Sequence, residues 1–131
     1  VEELNLSNHC YFPGNLDHHE LLKKYENNQI DIVISSSISI PDVFEGIPVS
    51  LIEAMSYEIP VIATDCGATR ELVDDKSGIL VNQNNSEEIS NSIVEFINNP
   101  EYMKMIGKNG RNKVKLEFDT IKNASDLIKI F

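Results

Sequence analysis

Basic residues are scarce in this chain: 21 Asp and Glu stand against 11 Lys and Arg, for a formal net charge of -10. A nucleic-acid partner rewards a cationic face, and so does an anionic lipid surface, so both are disfavoured. Cysteine is equally sparse. Cys10 and Cys66 make neither a disulfide framework nor a zinc-ligand pattern, which points to a reducing compartment. No apolar run approaches the ~20 residues needed to span a bilayer. No signal peptide is legible, although the chain opens on Val1 rather than Met, and a cytoplasmic location is the expectation. Internal repeats and linkers are missing too; the Asn-rich stretches at 27–28, 82–85 and 98–99 read as connections. What remains is 131 residues, 41% of them hydrophobic. That is enough for a core and short enough for one domain over residues 1–131.

The elements alternate. Val1 to Leu6 reads as the tail of a helix and Cys10-Tyr11-Phe12 as a short strand stopped by Pro13-Gly14. Asp17 with Glu20 predicts a capped helix to about Asn27, turning Leu21, Leu22 and Tyr25 inward. His18 and His19 lie in its first turn. Adjacent helical residues point about 100° apart, so this pair reads as a solvated helix start rather than a metal site. Asp31 to Ser35 and Ile59 to Thr64 are strands, the first read as buried, and Ser77 to Val81 is the last. Asp65 to Leu72 forms a turn opening a short helix, where Cys66 reads as a small buried apolar side chain. Ser86 is expected to cap a helix to Asn98 with Ile89, Ile93, Phe96 and Ile97 as its buried stripe. Pro100 starts a helix carrying Tyr102, Ile106 and Val114, weakened by Gly107 and Gly110. Asp119 caps a last helix bearing Ile121, Ala124, Ile128 and Phe131. Strands alternating with helices give an α/β, Rossmann-like parallel sheet of about four strands with flanking helices.

The chain is organised around Ser35 to Glu53. The strand Ile32-Val33-Ile34 runs through a turn into a helix with Pro48 at its first position and Leu51, Ile52 and Met55 on one apolar face. Glu53 lies off that face, and helical side chains lean toward the N-terminus, so its carboxylate reaches the mouth of the turn. Glu45 stands on the turn itself. Two carboxylates thus flank a helix N-terminus suited to an anion. The N–H groups of Val49, Ser50 and Leu51 would meet phosphate oxygens while the carboxylates accept from sugar hydroxyls. The Glu45/Glu53 spacing alone is a weak signal in so acidic a chain. Ligands of such sheets sit at the carboxyl ends of the strands, where Glu45, Gly67 and Glu71 fall.

The run Glu45-Gly46-Ile47-Pro48-Val49-Ser50-Leu51-Ile52-Glu53-Ala54-Met55 is followed in order by Ile59 to Thr64, Gly67, Glu71 and Ser77 to Val81. Together these resemble the C-terminal, donor-binding domain of GT-B-fold glycosyltransferases of the retaining family 4, over nearly the whole chain. The resemblance implies a nucleotide-sugar donor, retention at the reacting carbon, no cofactor and no essential metal. It implies that Glu45 contacts the donor sugar and acts electrostatically rather than as a covalent nucleophile. Glu53 would bind the ribose hydroxyls, and Gly46, Ile47, Pro48, Val49, Ser50, Leu51 and Gly67 would complete the donor site. Thr69 or Arg70 could contact acceptor or donor, although an exposed arginine is more often merely solvated. Polysaccharide or glycolipid biosynthesis is the implied setting, with membrane association through other parts of the protein.

The match also shows departures. Glu58 stands where a helix-ending glycine is usual, and Ala68 where a second glycine is common. Ser36 to Phe44 makes an unusually long connector at the sugar end of the site, expected to be irregular, with Ile40 and Phe44 packing inward as the alternative. The Arg/Lys pair that clamps the diphosphate and the N-terminal acceptor-binding domain both lie outside this sequence. In the resembled domain the strand order is 3-2-1-4-5-6, so the strand at Cys10 would lack its neighbour. Either it slides in beside Ile32 to Ile34, or a second copy of the chain pairs with that edge. Other readings are a nucleotide-sugar 2-epimerase of GT-B fold, a non-catalytic nucleotide-binding remnant and a phosphorelay receiver domain. The last lacks its acidic cluster and its late lysine.

Overall fold

Three short strands make the sheet: β1 (Val33–Ser35), β2 (Val61–Thr64) and β3 (Ile79–Val81), all parallel and in the order β1-β2-β3. The computed structural model describes residues 2–41 and 46–119. Each strand is joined to the next by a helix, as a parallel pair requires. Between β1 and β2 runs α2 (Val49–Ser56), between β2 and β3 the single-turn α3 (Thr69–Leu72). Before the sheet lies α1 (His18–Glu26), and after it come α4 (Ser86–Asn98) and α5 (Pro100–Glu117).

Helices cover both faces, which is why β2 is apolar along its whole length and buried at every residue. Its side chains alternate between two cores. Val61 and Ala63 join Tyr25, Leu51, Ala54, Met55 and Leu72, while Ile62 joins Val81, Phe96 and Ile106. The helix α5 serves both. Its Ile106 packs with Phe96 of α4, and Val114 packs with the α2 side.

Gly107 and Gly110 have the opposite role from the expected weakness. Both are buried in α5. A Cβ on Gly107 would stand 2.1 Å from the Glu58 carbonyl oxygen, and one on Gly110 3.1 Å from that of Ser77. These glycines let α5 lie directly on backbone. Glu58 itself has φ +63°, the left-handed geometry that makes glycine usual at a helix end. Its carboxylate takes an ion pair from Arg111 at 3.1 Å.

Several expectations are corrected. Cys10 to Phe12 is not a fourth strand. The His9 and Cys10 N–H groups are used by a local turn onto the Leu6 carbonyl, Pro13 has no N–H to offer, and Tyr11 and Phe12 are 85% and 75% exposed. So β1 is an open edge among the described residues, and Ile34 is 43% exposed. Glu2–Leu4 is a 3-10 turn rather than a helix tail. Asn85, not Ser86, caps α4, because its side chain accepts from the Glu88 N–H at 3.1 Å. Ile97 is 65% exposed, since Ser92 and Phe96 already occupy the stripe against the sheet. The expected helix over Ile121 to Phe131 lies outside the described residues, as do Phe44 and Glu45.

Candidate functional site

The loops at the carboxyl ends of the three strands converge with the start of α2. Pro48 is the N-cap of α2 rather than its first residue, with an extended backbone and no side chain capping the turn. The Leu51 N–H, expected to face an anion, instead donates to the Pro48 carbonyl at 3.1 Å. The free donors therefore lie one step earlier. Val49 and Ser50 are exposed at the helix start, where the first N–H groups have no intrahelical acceptor and the dipole is positive. A Cβ on the exposed Gly46 would meet nothing within 4 Å, so packing does not itself demand glycine there. Gly67, on the turn after β2, has φ +54°, and this conformation suits glycine.

Glu53 lies on the second turn of α2, its side chain 25% exposed. His18, expected to be solvated, donates from Nε2 to Glu53 Oε1 at 2.8 Å. The helix start that was legible from Asp17 is real: the Asp17 carboxylate accepts the N–H groups of His19 and Glu20 at 2.9 and 3.3 Å. That cap fixes α1 so that His18 faces α2. Inward of the pair, burial first and the nearby negative charge of Glu53 second raise the Tyr25 phenol above its usual range. The carboxylate is thus held by an imidazole donor with the Tyr25 phenol nearby, and its Oε2 is unpaired among the described residues. A lone acceptor in that position suits a hydroxyl pair.

Further along the sheet end, Arg70 is not free. It forks onto Asp65, with Nε on Oδ1 at 2.9 Å and a second bond from Nη2 to Oδ2, and the carboxylate raises its already high pKa. Cys66 is buried, as expected, with Sγ 3.5 Å from Ser39 Oγ. Ile40 is 56% exposed, so it does not pack inward. The connector after β1 is irregular yet fastened. Thr64 Oγ1 donates to the Ser37 carbonyl at 2.5 Å, and Gln83 Oε1 accepts the Ser39 N–H at 2.6 Å. Nothing in the sequence signalled Gln83, which sits in an Asn-rich turn read only as a connection. Glu71 is exposed on α3. Among the described residues no three or more His, Cys, Asp or Glu come together as a metal site.

The sequence and the fold agree with known proteins. The family described as glycosyl transferases group 1 matches residues 1–113. An uncharacterised glycosyltransferase of Methanocaldococcus jannaschii is 32% identical over 129 residues, covering 96% of this chain and 31% of that protein. The WcaL protein of Escherichia coli K12, named for glycosyl transfer in colanic acid biosynthesis, is 31% identical over 121 residues, which is 91% of this chain and 30% of its own. Anabaena HepE, solved with UDP, superposes with a TM-score of 0.81 at 24% identity over 99% of this chain and 35% of its own. The chain therefore spans about a third of the length of the relatives it matches. No helix among the described residues is long and apolar enough to cross a membrane. With the parallel sheet, the order of motifs and the family match in agreement, this chain belongs to the group 1 glycosyltransferases and has the GT-B fold of their C-terminal part.

Proposed function

We propose that this chain is the donor-binding part of a retaining, family 4 glycosyltransferase that moves a glycosyl group from a nucleotide diphosphate sugar to a hydroxyl acceptor. The observation that carries the reading is Glu53. Its carboxylate is held on one oxygen by His18 and has Oε2 unpaired among the described residues, beside a helix start with exposed N–H groups. A ribose diol would donate to Oε2, and the diphosphate would lie against the N–H groups of Val49 and Ser50. Gly46, Ile47 and Pro48 would form the turn under the sugar, with Leu51 supporting that turn from the core and Gly67 giving close backbone approach. Glu45, on the same turn in sequence, takes the role of stabilising positive charge at the reacting carbon. The arrangement calls on no essential metal.

The remaining parts come from elsewhere in the protein: an Arg/Lys clamp on the diphosphate and an N-terminal domain for the acceptor. The open β1 edge is then the seam to the rest of the same domain, and pairing of two copies through it a property of the isolated chain. The name of WcaL, which places it in colanic acid biosynthesis, favours polysaccharide as the product class. The two free thiols suit a cytoplasmic site of action.

Titration calorimetry of the full-length protein tests this. Each charge-assisted hydrogen bond to a ribose hydroxyl is worth about 1.5–3 kcal/mol, so Glu53→Ala should weaken nucleotide diphosphate binding tenfold or more, about 1.4 kcal/mol. Unchanged affinity removes Glu53 from the site. Glu45→Ala should lower kcat and keep nucleotide affinity; equal weakening of bare nucleotide and sugar nucleotide would refute its role.

A further inference from the structure

One side chain ties together the ends of all three strands. Gln83 follows β3. Its Oε1 accepts the Ser39 N–H at 2.6 Å, and its Nε2 donates to the Asp65 carbonyl at 2.6 Å and to Ser39 Oγ at 3.1 Å. Ser39 belongs to the connector after β1 and Asp65 to the turn after β2. The amide thus uses its two donors and one acceptor on two loops that follow different strands. Thr64 completes the arrangement by donating to the carbonyls of Ser37 and Ser35 at 2.5 and 3.4 Å.

The connector is the feature of this sequence that most needs such a clamp. Its apolar residues Ile38 and Ile40 are exposed, so burial does not fix its course. Polar contacts help to do that, and two of them, both from Ser39, end on Gln83. The connector leads into the Glu45-Gly46 turn and α2. The Asp65 turn carries Gly67 and, through the Asp65 carboxylate, holds Arg70. Gln83 therefore sets the distance between the connector that leads toward α2 and the Asp65 turn that carries Gly67.

We propose that Gln83 is a positioning residue for glycosyl transfer. It touches no substrate and holds the connector against the Asp65 turn, so that the donor-sugar end of the site is preorganised. This rests on the donor-binding reading above. Geometry maintained by such supporting contacts governs rate steeply, because a displacement of about 1 Å can cost ~100-fold.

The test uses the full-length protein with Gln83→Leu and Gln83→Glu. Glutamate keeps an acceptor for the Ser39 N–H but sets an oxygen against the Asp65 carbonyl, whereas leucine removes every contact. Two readouts are needed. Hydrogen exchange should rise in the peptide containing residues 36–41 in Gln83→Leu, with α4 and α5 unchanged. Steady-state kinetics with a nucleotide sugar should show kcat lowered about tenfold or more while bare nucleotide binds as before, and Gln83→Glu should recover part of the loss. Faster exchange with unchanged kcat would overturn the positioning role. So would unchanged exchange, or a general loss of protection with normal turnover per folded molecule. A wild-type protein that neither binds nor turns over nucleotide sugar would refute the proposed function and the kinetic role together, while the exchange result still decides whether Gln83 holds the connector.

Discussion

Gly107→Ala sets helix propensity against packing, and the two predict opposite signs. On propensity alone, alanine in the middle of an 18-residue helix should stabilise α5 by about 1 kcal/mol. The fold says otherwise. The new Cβ would lie 2.1 Å from the Glu58 carbonyl oxygen and 3.0 Å from its carbon, where ordinary contact begins at 3.4 Å. The obstacle is backbone, held by α2 and by the left-handed Glu58, so no side chain can swing aside. The helices must separate by roughly 1 Å, and a gap of that size forfeits a quarter to a half of each dispersion contact along the seam. Overpacking costs about 1–3 kcal/mol, and a rigid neighbour puts this case at the upper end. With the propensity gain subtracted, the net loss is about 2 kcal/mol, a fall of roughly 2–4 °C in melting temperature once spread over the larger unfolding entropy of the full-length protein. Gly110→Ala is the control. There the Cβ meets flexible Met55 atoms at 3.3 and 3.4 Å and the Ser77 oxygen at 3.1 Å. Methionine can yield, and the Ser77 oxygen need give only a few tenths of an ångström, a cost the gain in helix propensity offsets, so the change should stay within about 0.5 kcal/mol of neutral. Melting of the two full-length variants, with exchange measured across α2 and α5, is the assay. A Gly107→Ala protein as stable as the wild type or more so would refute the packing account.

Glu58→Gly should be more stable than Glu58→Ala by about 1 kcal/mol, because both lose the Arg111 ion pair and only glycine relieves the positive φ. Equal midpoints in urea would show that the left-handed geometry is not retained in solution. Asp74 has an acid-range role: burial would raise its pKa, but bonds from Lys113, Ser77 and the Lys76 N–H, with the Lys113 charge, lower it from 3.8 to about 2. Since the folded value is the lower one, this stabilisation is present above pH 3.8 and is lost as pH falls toward about 2. The side chain is 43% exposed, so screening limits the effect to about 1 kcal/mol. Asp74→Asn should flatten that part of the acid-unfolding curve, and a curve of unchanged slope would assign the acid sensitivity to other groups.

How much could be read before any coordinates follows from the range of each interaction. The cap at Asp17, the alternation of strands and helices from Asp31 to Glu117, the parallel α/β class and the placing of Gly46 and Glu53 at one helix start were all legible. Each depends on residues within a few positions of one another, through periodicity, capping chemistry and turn residues. The limits appeared where the deciding partner is remote in sequence. His18 looked like a solvated helix start because Glu53, which receives its bond, is 35 positions away. Gln83 carried no signal because Ser39 is 44 positions away. Local pattern made Cys10 to Phe12 a strand, yet a strand exists only with a neighbour to pair with, and the Leu6 carbonyl takes the His9 and Cys10 N–H groups instead. Gly107 and Gly110 read as helix weakeners because propensity is local, whereas the backbone they admit belongs to another element. Sequence alone thus determined the alternating strands and helices from Asp31 to Glu117 and which residues cluster along the chain. Tertiary structure decided which carboxylate meets an imidazole, which loop is clamped and where two backbones touch, since those depend on distances set only when the sheet and its two helical layers are assembled.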